Sequence, residues 1–212
     1  MTYKMIVLDL DDTLLTSDHT ISPRTKEALL AAQRRGKKVV LASGRPTYAM
    51  LDLAEELELA RYGSYILSFN GASIIDCKTN ESLFLSTLSP ETVHRLYDVS
   101  KREDVYIHTY VGHEILTEQP NEYTTLEGQL TGMDIIPVAD FKTAIQTPVV
   151  KCLMMAEETH LARVEQTLQQ ELAGELAVAR SKPFFLEFTE DGVTKGTSLA
   201  LLSEKLGIAQ EE

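Results

Sequence analysis

The sequence predicts an α/β protein in which a parallel-sheet core is interrupted by an inserted α+β unit. Three observations predict it. Apolar runs alternate with helical patterns in β-α-β-α-β order from Met5 to Phe69. Those runs are apolar on consecutive residues, as in Lys38-Val39-Val40-Leu41-Ala42, which suits strands covered on both faces by crossover helices. From about Leu83 the pattern loosens and becomes richer in strands, until an amphipathic helix returns near the end.

Each element has its own warrant. Met5 to Leu8 is a short apolar strand. Pro23 to Arg35 is a helix: Ser22 can cap its free amides, Pro23 fits the first turn, and Gly36 can take the left-handed closing conformation. Val39 to Ala42 is the second strand, Thr47 to Leu59 the second helix and Tyr65 to Phe69 the third strand. In the insert, a helix begins near Ser89-Pro90, strands cover Val105 to Val111 and Glu114 to Glu118, and Asn121 to Phe141 reads as looser chain. Val149 to Ala156 is strand-like, with Met154-Met155 as core. Glu157 to Ala173 is helical, because Leu161, Val164, Leu168 and Leu172 recur at three and four residues. Leu176 to Ala179 and Phe184 to Thr189 are strands, and Ser198 to Leu206 is the last helix. The expected division is a core of residues 1–82 and 184–212 around an insert of 83–183.

Composition narrows the function classes. With 212 residues, 43% of them hydrophobic, the chain can bury a substantial core. A formal charge of -12 argues against nucleic-acid or anionic-membrane partners, because that field repels polyphosphate within a Debye length of about 8 Å. Any phosphate it binds must meet a local positive site. Cys77 and Cys152 form no CxxC or Cys/His group, and the five histidines have no metal-ligand spacing. The opening apolar run meets Asp9, Asp11 and Asp12 too soon for a signal core or a spanning helix. A cytoplasmic protein is expected.

The chemistry concentrates at strand ends. Asp9 and Asp11 follow Met5-Ile6-Val7-Leu8 directly, at the carboxyl rim where ligands gather in open parallel sheets, with Thr13 closing the cluster. Residues two apart point to one side, so both carboxylates can converge on a small ligand; a cation or shared proton must relieve their repulsion. Phosphoryl transfer uses both, with Asp9 as nucleophile and Asp11 as general acid/base. The same string also reads as an acidic turn, to which Asp12 is assigned. Ser43-Gly44-Arg45 follows the second strand and precedes a helix, which suits phosphate oxygens but equally suits a simple turn. Asn70-Gly71 reads both as a two-residue hairpin turn and as the rim of the third strand. Lys195, just before the last helix, can hold a phosphate oxygen or stand as a solvated surface charge.

Taken in order, Asp9-Leu10-Asp11-Asp12-Thr13, Ser43-Gly44-Arg45-Pro46, Asn70-Gly71-Ala72 and Gly192-Val193-Thr194-Lys195-Gly196 resemble the Cof-type (class IIB) hydrolases of the haloacid dehalogenase-like superfamily. The resemblance implies a Rossmann-like core, an α+β cap, and hydrolysis of small phosphorylated metabolites, often sugar phosphates. It implies Mg²⁺ on the Asp9 carboxylate and Asp11 carbonyl, and phosphate contacts from the Leu10 amide, Ser43, Gly44 and Lys195, with Asn70 nearby. Thr13 and Arg45 are further candidates for the phosphate or substrate. A phosphotransferase or mutase shares the same first step, and a non-catalytic phosphate-binding module is the alternative of another class. In the family a further strand and a Gly-Asp-x-x-Asn-Asp-like loop follow the last helix, whereas this sequence runs to Ala209-Gln210-Glu211-Glu212. That departure implies a truncated chain, a weakened magnesium site with reduced activity, and an uncovered edge at Ile6-Val7-Leu8.

Overall fold

The consecutive apolar residues after Lys4 form strand β1 (Met5–Leu8), the first of eleven strands among the described residues, 3–212 of this computed structural model. A wide turn follows, then α1 (Pro23–Arg34), β2 (Lys38–Ala42), α2 (Leu51–Glu56), α3 (Leu59–Tyr62), β3 (Tyr65–Ser68), β4 (Ser73–Asp76) and β5 (Glu81–Leu85). Ser22 accepts the Thr25 N–H at 3.2 Å as the N-cap of α1, with Pro23 in its first turn as expected. Strands β1, β2 and β3 are parallel, paired Leu8↔Leu41 and Leu41↔Ile66; β4 and β5 then add antiparallel, giving the order β1-β2-β3-β4-β5. β1 is thus an edge strand, as expected, with Val7 38% exposed. At the start of that edge the backbone amides of Lys4 and Met5 donate to the Glu212 carbonyl.

Two local expectations change. The helix expected over Thr47–Leu59 is a short 3-10 turn (Tyr48–Met50), then α2 and α3, broken where Glu58 takes φ 53°. The break has a packing reason: Leu57 and Leu59 are both fully buried, and a continuous helix would place them about 200° apart. The loop after β3 is also longer than a two-residue turn, because the last pair is Ser68↔Ser73 and four residues, Phe69 to Ala72, lie between. Phe69, Asn70 and Gly71 all have positive φ.

The insert forms a unit of its own. It holds α4 (Pro90–Arg102), β6 (Tyr106–Val111), β7 (Glu114–Thr117), α5 (Glu122–Thr131), β8 (Asp134–Pro137), α6 (Phe141–Ala144), β9 (Cys152–Met155), α7 (Glu158–Glu171), β10 (Leu176–Lys182) and β11 (Phe185–Glu190). The six strands order as β10-β11-β9-β6-β7-β8, with only β7 and β8 parallel. One face packs α4, α6 and α7 on a core containing Leu96, Phe141, Leu161, Leu168, Met154 and Phe188. The other buries Leu153, Met155 and Phe185 beside Tyr123 and Leu126 of α5. Both faces being covered explains the unbroken Cys152-Leu153-Met154-Met155 run.

The looser chain expected over Asn121–Phe141 is instead α5 followed by β8. Asn121 caps α5 by accepting the Tyr123 and Thr124 N–H groups, and Gly132 closes it in the left-handed region. Its apolar period is faint because Thr124, Glu127 and Thr131 occupy buried positions. The division by internal packing is Met1–Leu85 with Val193–Glu212, and Ser86–Gly192. The boundary expected at 184 therefore moves, because β11 is hydrogen-bonded between β9 and β10 in the second sheet. The chain returns to the first unit as α8 (Lys195–Leu206), whose Leu202 is fully buried against Val40, Ala42, Leu67 and Ile74.

Candidate active site

In the first unit the chain leaves β1 at Asp9 and makes a wide turn over Leu10–Leu14. The Leu14 N–H reaches the Asp9 carbonyl at 3.1 Å and the Leu15 N–H the Leu10 carbonyl at 3.0 Å. Such five-residue loops recur at functional sites. Leu10 and Leu14 are buried and anchor the turn, while Asp9, Asp11, Asp12 and Thr13 are exposed. Leu10 thus contributes its side chain to the core, which leaves only its backbone for a ligand. Asp9 and Asp11 are both extended, at ψ 157° and 131°, and Asp12 turns the chain at φ 57°, as assigned from the sequence.

Each carboxylate meets a cation. Lys195 Nζ donates to Asp9 Oδ1 at 2.7 Å, across 186 residues of sequence. Arg45 donates from Nη2 to Asp11 Oδ1 at 2.6 Å and from Nε to Asp11 Oδ2 at 3.2 Å. Side chains of Lys195 and Asp9 are 35% and 45% exposed. A pair so wet contributes at most about 1 kcal/mol to stability. Lys195 is therefore loosely held, and a ligand oxygen can compete for it.

The loop after β2 is stitched to the loop after β3. Ser43 N–H donates to the Leu67 carbonyl at 2.9 Å, Asn70 N–H to the Ser43 carbonyl at 3.0 Å, and Phe69 N–H to the Arg45 carbonyl at 3.0 Å. Ser43 Oγ, nearly buried, accepts the Arg45 N–H at 3.2 Å and keeps its own proton to donate. Gly44 leaves room for the Asn70 side chain: a Cβ there would lie 3.1 Å from Asn70 Oδ1 and 3.2 Å from Nδ2, so the amide would have to shift by a few tenths of an ångström. Thr47 and Ser68 add a side-chain hydrogen bond of 2.6 Å.

Several sequence expectations need adjusting at this site. The helix N-terminus expected after Ser43-Gly44-Arg45 is only the 3-10 turn at Tyr48, so helix-dipole support for an anion is small there. Lys195 does not precede the last helix but opens it, with Thr194 as N-cap in a reciprocal capping box with Thr197. Arg45, a candidate phosphate or substrate residue, also pairs with Asp11. Sequence reasoning did not assign roles to Thr194 or Ser198, although a Thr-x-x-Thr spacing before an apolar run resembles a capping signal. Among the described residues no group of three His, Cys, Asp or Glu side chains is gathered for a metal. Burial pushes the thiols of Cys77 and Cys152 up to about 12, which makes them inert at neutral pH.

Comparison with known proteins places this geometry. A haloacid dehalogenase-like hydrolase crystal structure from Bacteroides thetaiotaomicron is 42% identical, covers 100% of this chain and 80% of that one, and superimposes with a TM-score of 0.92. The 5-amino-6-(5-phospho-D-ribitylamino)uracil phosphatase YcsE of Bacillus subtilis (strain 168) is 26% identical over 211 residues, 98% of this chain and 74% of that protein. The subclass IIB sugar phosphatase BT4131 shares the fold, with a TM-score of 0.77 at 24% identity over 99% of this chain and 78% of that one. The chain thus spans about three quarters to four fifths of the length of these proteins. The family model for haloacid dehalogenase-like hydrolases matches residues 6–212, so the chain belongs to the haloacid dehalogenase-like hydrolase family.

Proposed function

We propose that this protein hydrolyses small phosphomonoesters through an aspartyl-phosphate on Asp9. A carboxylate oxygen of Asp9 attacks phosphorus as the ester oxygen departs with a proton from Asp11. Asp11 then takes a proton from the water that cleaves the acyl phosphate, which restores Asp9 and releases phosphate. The observation that carries this reading is the Lys195–Asp9 contact of 2.7 Å, which sets an ammonium beside the nucleophile where phosphoryl oxygens gain charge. Ser43 Oγ and the Gly44 N–H, with the Leu10 amide, serve the same oxygens, and Thr13 and Asn70 border them. Arg45 orients Asp11 with two of its five donors and keeps the others for the substrate.

Mg²⁺ fits the donor chemistry. The Asp9 carboxylate and Asp11 carbonyl are hard oxygens on an exposed turn, and magnesium takes few protein ligands with water completing its octahedron. When bound there it neutralises charge between nucleophile and phosphate. The substrate class is small phosphorylated metabolites, sugar phosphates among them. YcsE is named for a substrate of that kind, and the charge of -12 disfavours polyanions. A cytoplasmic setting suits two unpaired cysteines, and among the described residues no helix is long and apolar enough to cross a membrane.

The test is turnover of p-nitrophenyl phosphate and a panel of phosphorylated metabolites with Mg²⁺, beside Asp9→Asn. Magnesium-dependent release of phosphate that disappears in the variant is expected; undiminished release in Asp9→Asn removes the nucleophile, and phosphate binding without turnover makes the chain a binding module.

A further inference from the structure

Lys195 must stand within hydrogen-bond reach of Asp9, yet the two belong to elements held by different forces. Asp9 is placed by backbone pairing, since β1 is locked to β2 through Leu8↔Leu41. Lys195 is placed by α8, whose Leu199, Leu202 and Leu206 pack on the sheet through apolar contacts. Apolar contact is not directional, whereas a hydrogen bond or a close backbone contact fixes position more sharply.

The Gly71 backbone makes such contacts with the first turn of α8. A Cβ on Gly71 would lie 2.5 Å from the Thr194 carbonyl oxygen, 2.7 Å from its carbon and 2.8 Å from Ser198 Oγ. Ser198, almost fully buried, donates its hydroxyl to the Gly71 carbonyl at 2.8 Å. Thr194 and Ser198 flank Lys195 on the first turn of α8, so the helix is gripped on both sides of the lysine. Gly71 itself sits at φ 107°, at the end of a loop whose Phe69 and Asn70 are bonded to Arg45 and Ser43. The chain of contacts therefore runs from the sheet, through the loop after β3, to the ammonium.

We infer that Gly71 and Ser198 are positioning residues that set the Lys195–Asp9 distance, an inference resting on the hydrolase reading above. Gly71→Ala cannot fit without a shift of the loop or the helix turn, and its φ of 107° strains the loop as well. Misplacing a catalytic group by about 1 Å costs on the order of 100-fold in rate.

The decisive experiment is a double-mutant cycle with a crystal structure. Gly71→Ala should lower kcat for p-nitrophenyl phosphate about 10- to 100-fold with a smaller change in KM. In a Lys195→Met background it should add less than about threefold, because the group it positions is gone. Ser198→Ala, which leaves the glycine backbone unstrained, should cost a few-fold in the wild type and nothing further in Lys195→Met. The Gly71→Ala crystal structure should show Lys195 Nζ beyond hydrogen-bond distance of Asp9. Equal losses in both backgrounds, or an unchanged Lys195–Asp9 contact, overturn the inference. If the wild-type protein turns over no phosphoester, the hydrolase reading fails separately, and the crystallographic distance still decides whether Gly71 places the lysine. A variant that does not fold passes that decision to the Ser198→Ala structure, where an unmoved lysine overturns it.

Discussion

The strand ends of the first unit and the buried centre of the second handle charge in opposite ways. At the strand ends of the first, Asp9 pairs with Lys195 and Asp11 with Arg45, both open to water. In the second, Lys151 and Glu187 pair at 2.9 Å with side chains only 3% and 14% exposed. Beside them Tyr110 donates to Glu127 at 2.7 Å, the Lys151 ammonium lies 5.0 Å from the Tyr110 ring centre, and fully buried His108 stands 3.3 Å from the Tyr110 oxygen. An exposed pair costs little to break and can exchange partners with a ligand. A buried pair has lost its hydration and depends on its partner. The contrast separates charges available for chemistry from charges committed to packing.

Four measurements sharpen or break that contrast, the largest effect first. Asp9→Asn should lower phosphatase turnover by about 10⁴-fold, on the order of 5 kcal/mol of barrier, with an unfolding midpoint near that of the wild type. Steady-state kinetics beside a urea titration checks both halves. Lys151→Met should destabilise by about 3 kcal/mol, the lower end for a broken buried pair because Glu187 keeps some solvent. Adding Glu187→Leu should recover much of that loss, and urea midpoints that stay low in the double variant would show that the pair is not the cause.

The third concerns acid. Burial and the Lys151 charge push the His108 imidazole down to about 3, whereas in the unfolded chain it titrates near 6.5. Between these values the unfolded state binds the extra proton, so stability falls as pH drops below about 6.5, by up to about 1.4 kcal/mol per unit. Glu118 and Glu157, held low by their hydrogen bonds, act in the same direction but only below the ordinary carboxylate range. Urea denaturation at pH 7, 6 and 5 should therefore show a slope that His108→Gln flattens, and an unchanged slope would clear His108. The smallest effect is expected from Lys195→Met on stability, within about 1 kcal/mol, although its turnover should fall at least 100-fold.

Much of the first unit was legible because its signals are local. Pro23 and Gly36 bracket α1, the unbroken Val39 to Ala42 run marks a doubly covered strand, and the acids stand directly behind β1. The second unit was harder where polar side chains fill buried positions. Thr124, Glu127 and Thr131 erased the apolar period of α5, and no pattern in the sequence joins Tyr110 to Glu127. At the site, the types of the residues were readable but their partners were not: nothing in the sequence pairs Arg45 with Asp11.

By itself, the sequence determined which residues stand at the end of each core strand and in what order, because strand and helix periods and caps are written within a few residues of one another. Only the tertiary structure decided that Lys195 reaches Asp9 across 186 residues, that Gly71 grips the first turn of α8, and that Glu58 breaks a helix to bury two leucines. Those contacts follow from sheet register and from left-handed residues at loop ends, which depend on what packs through space and carry no periodic signal along the chain.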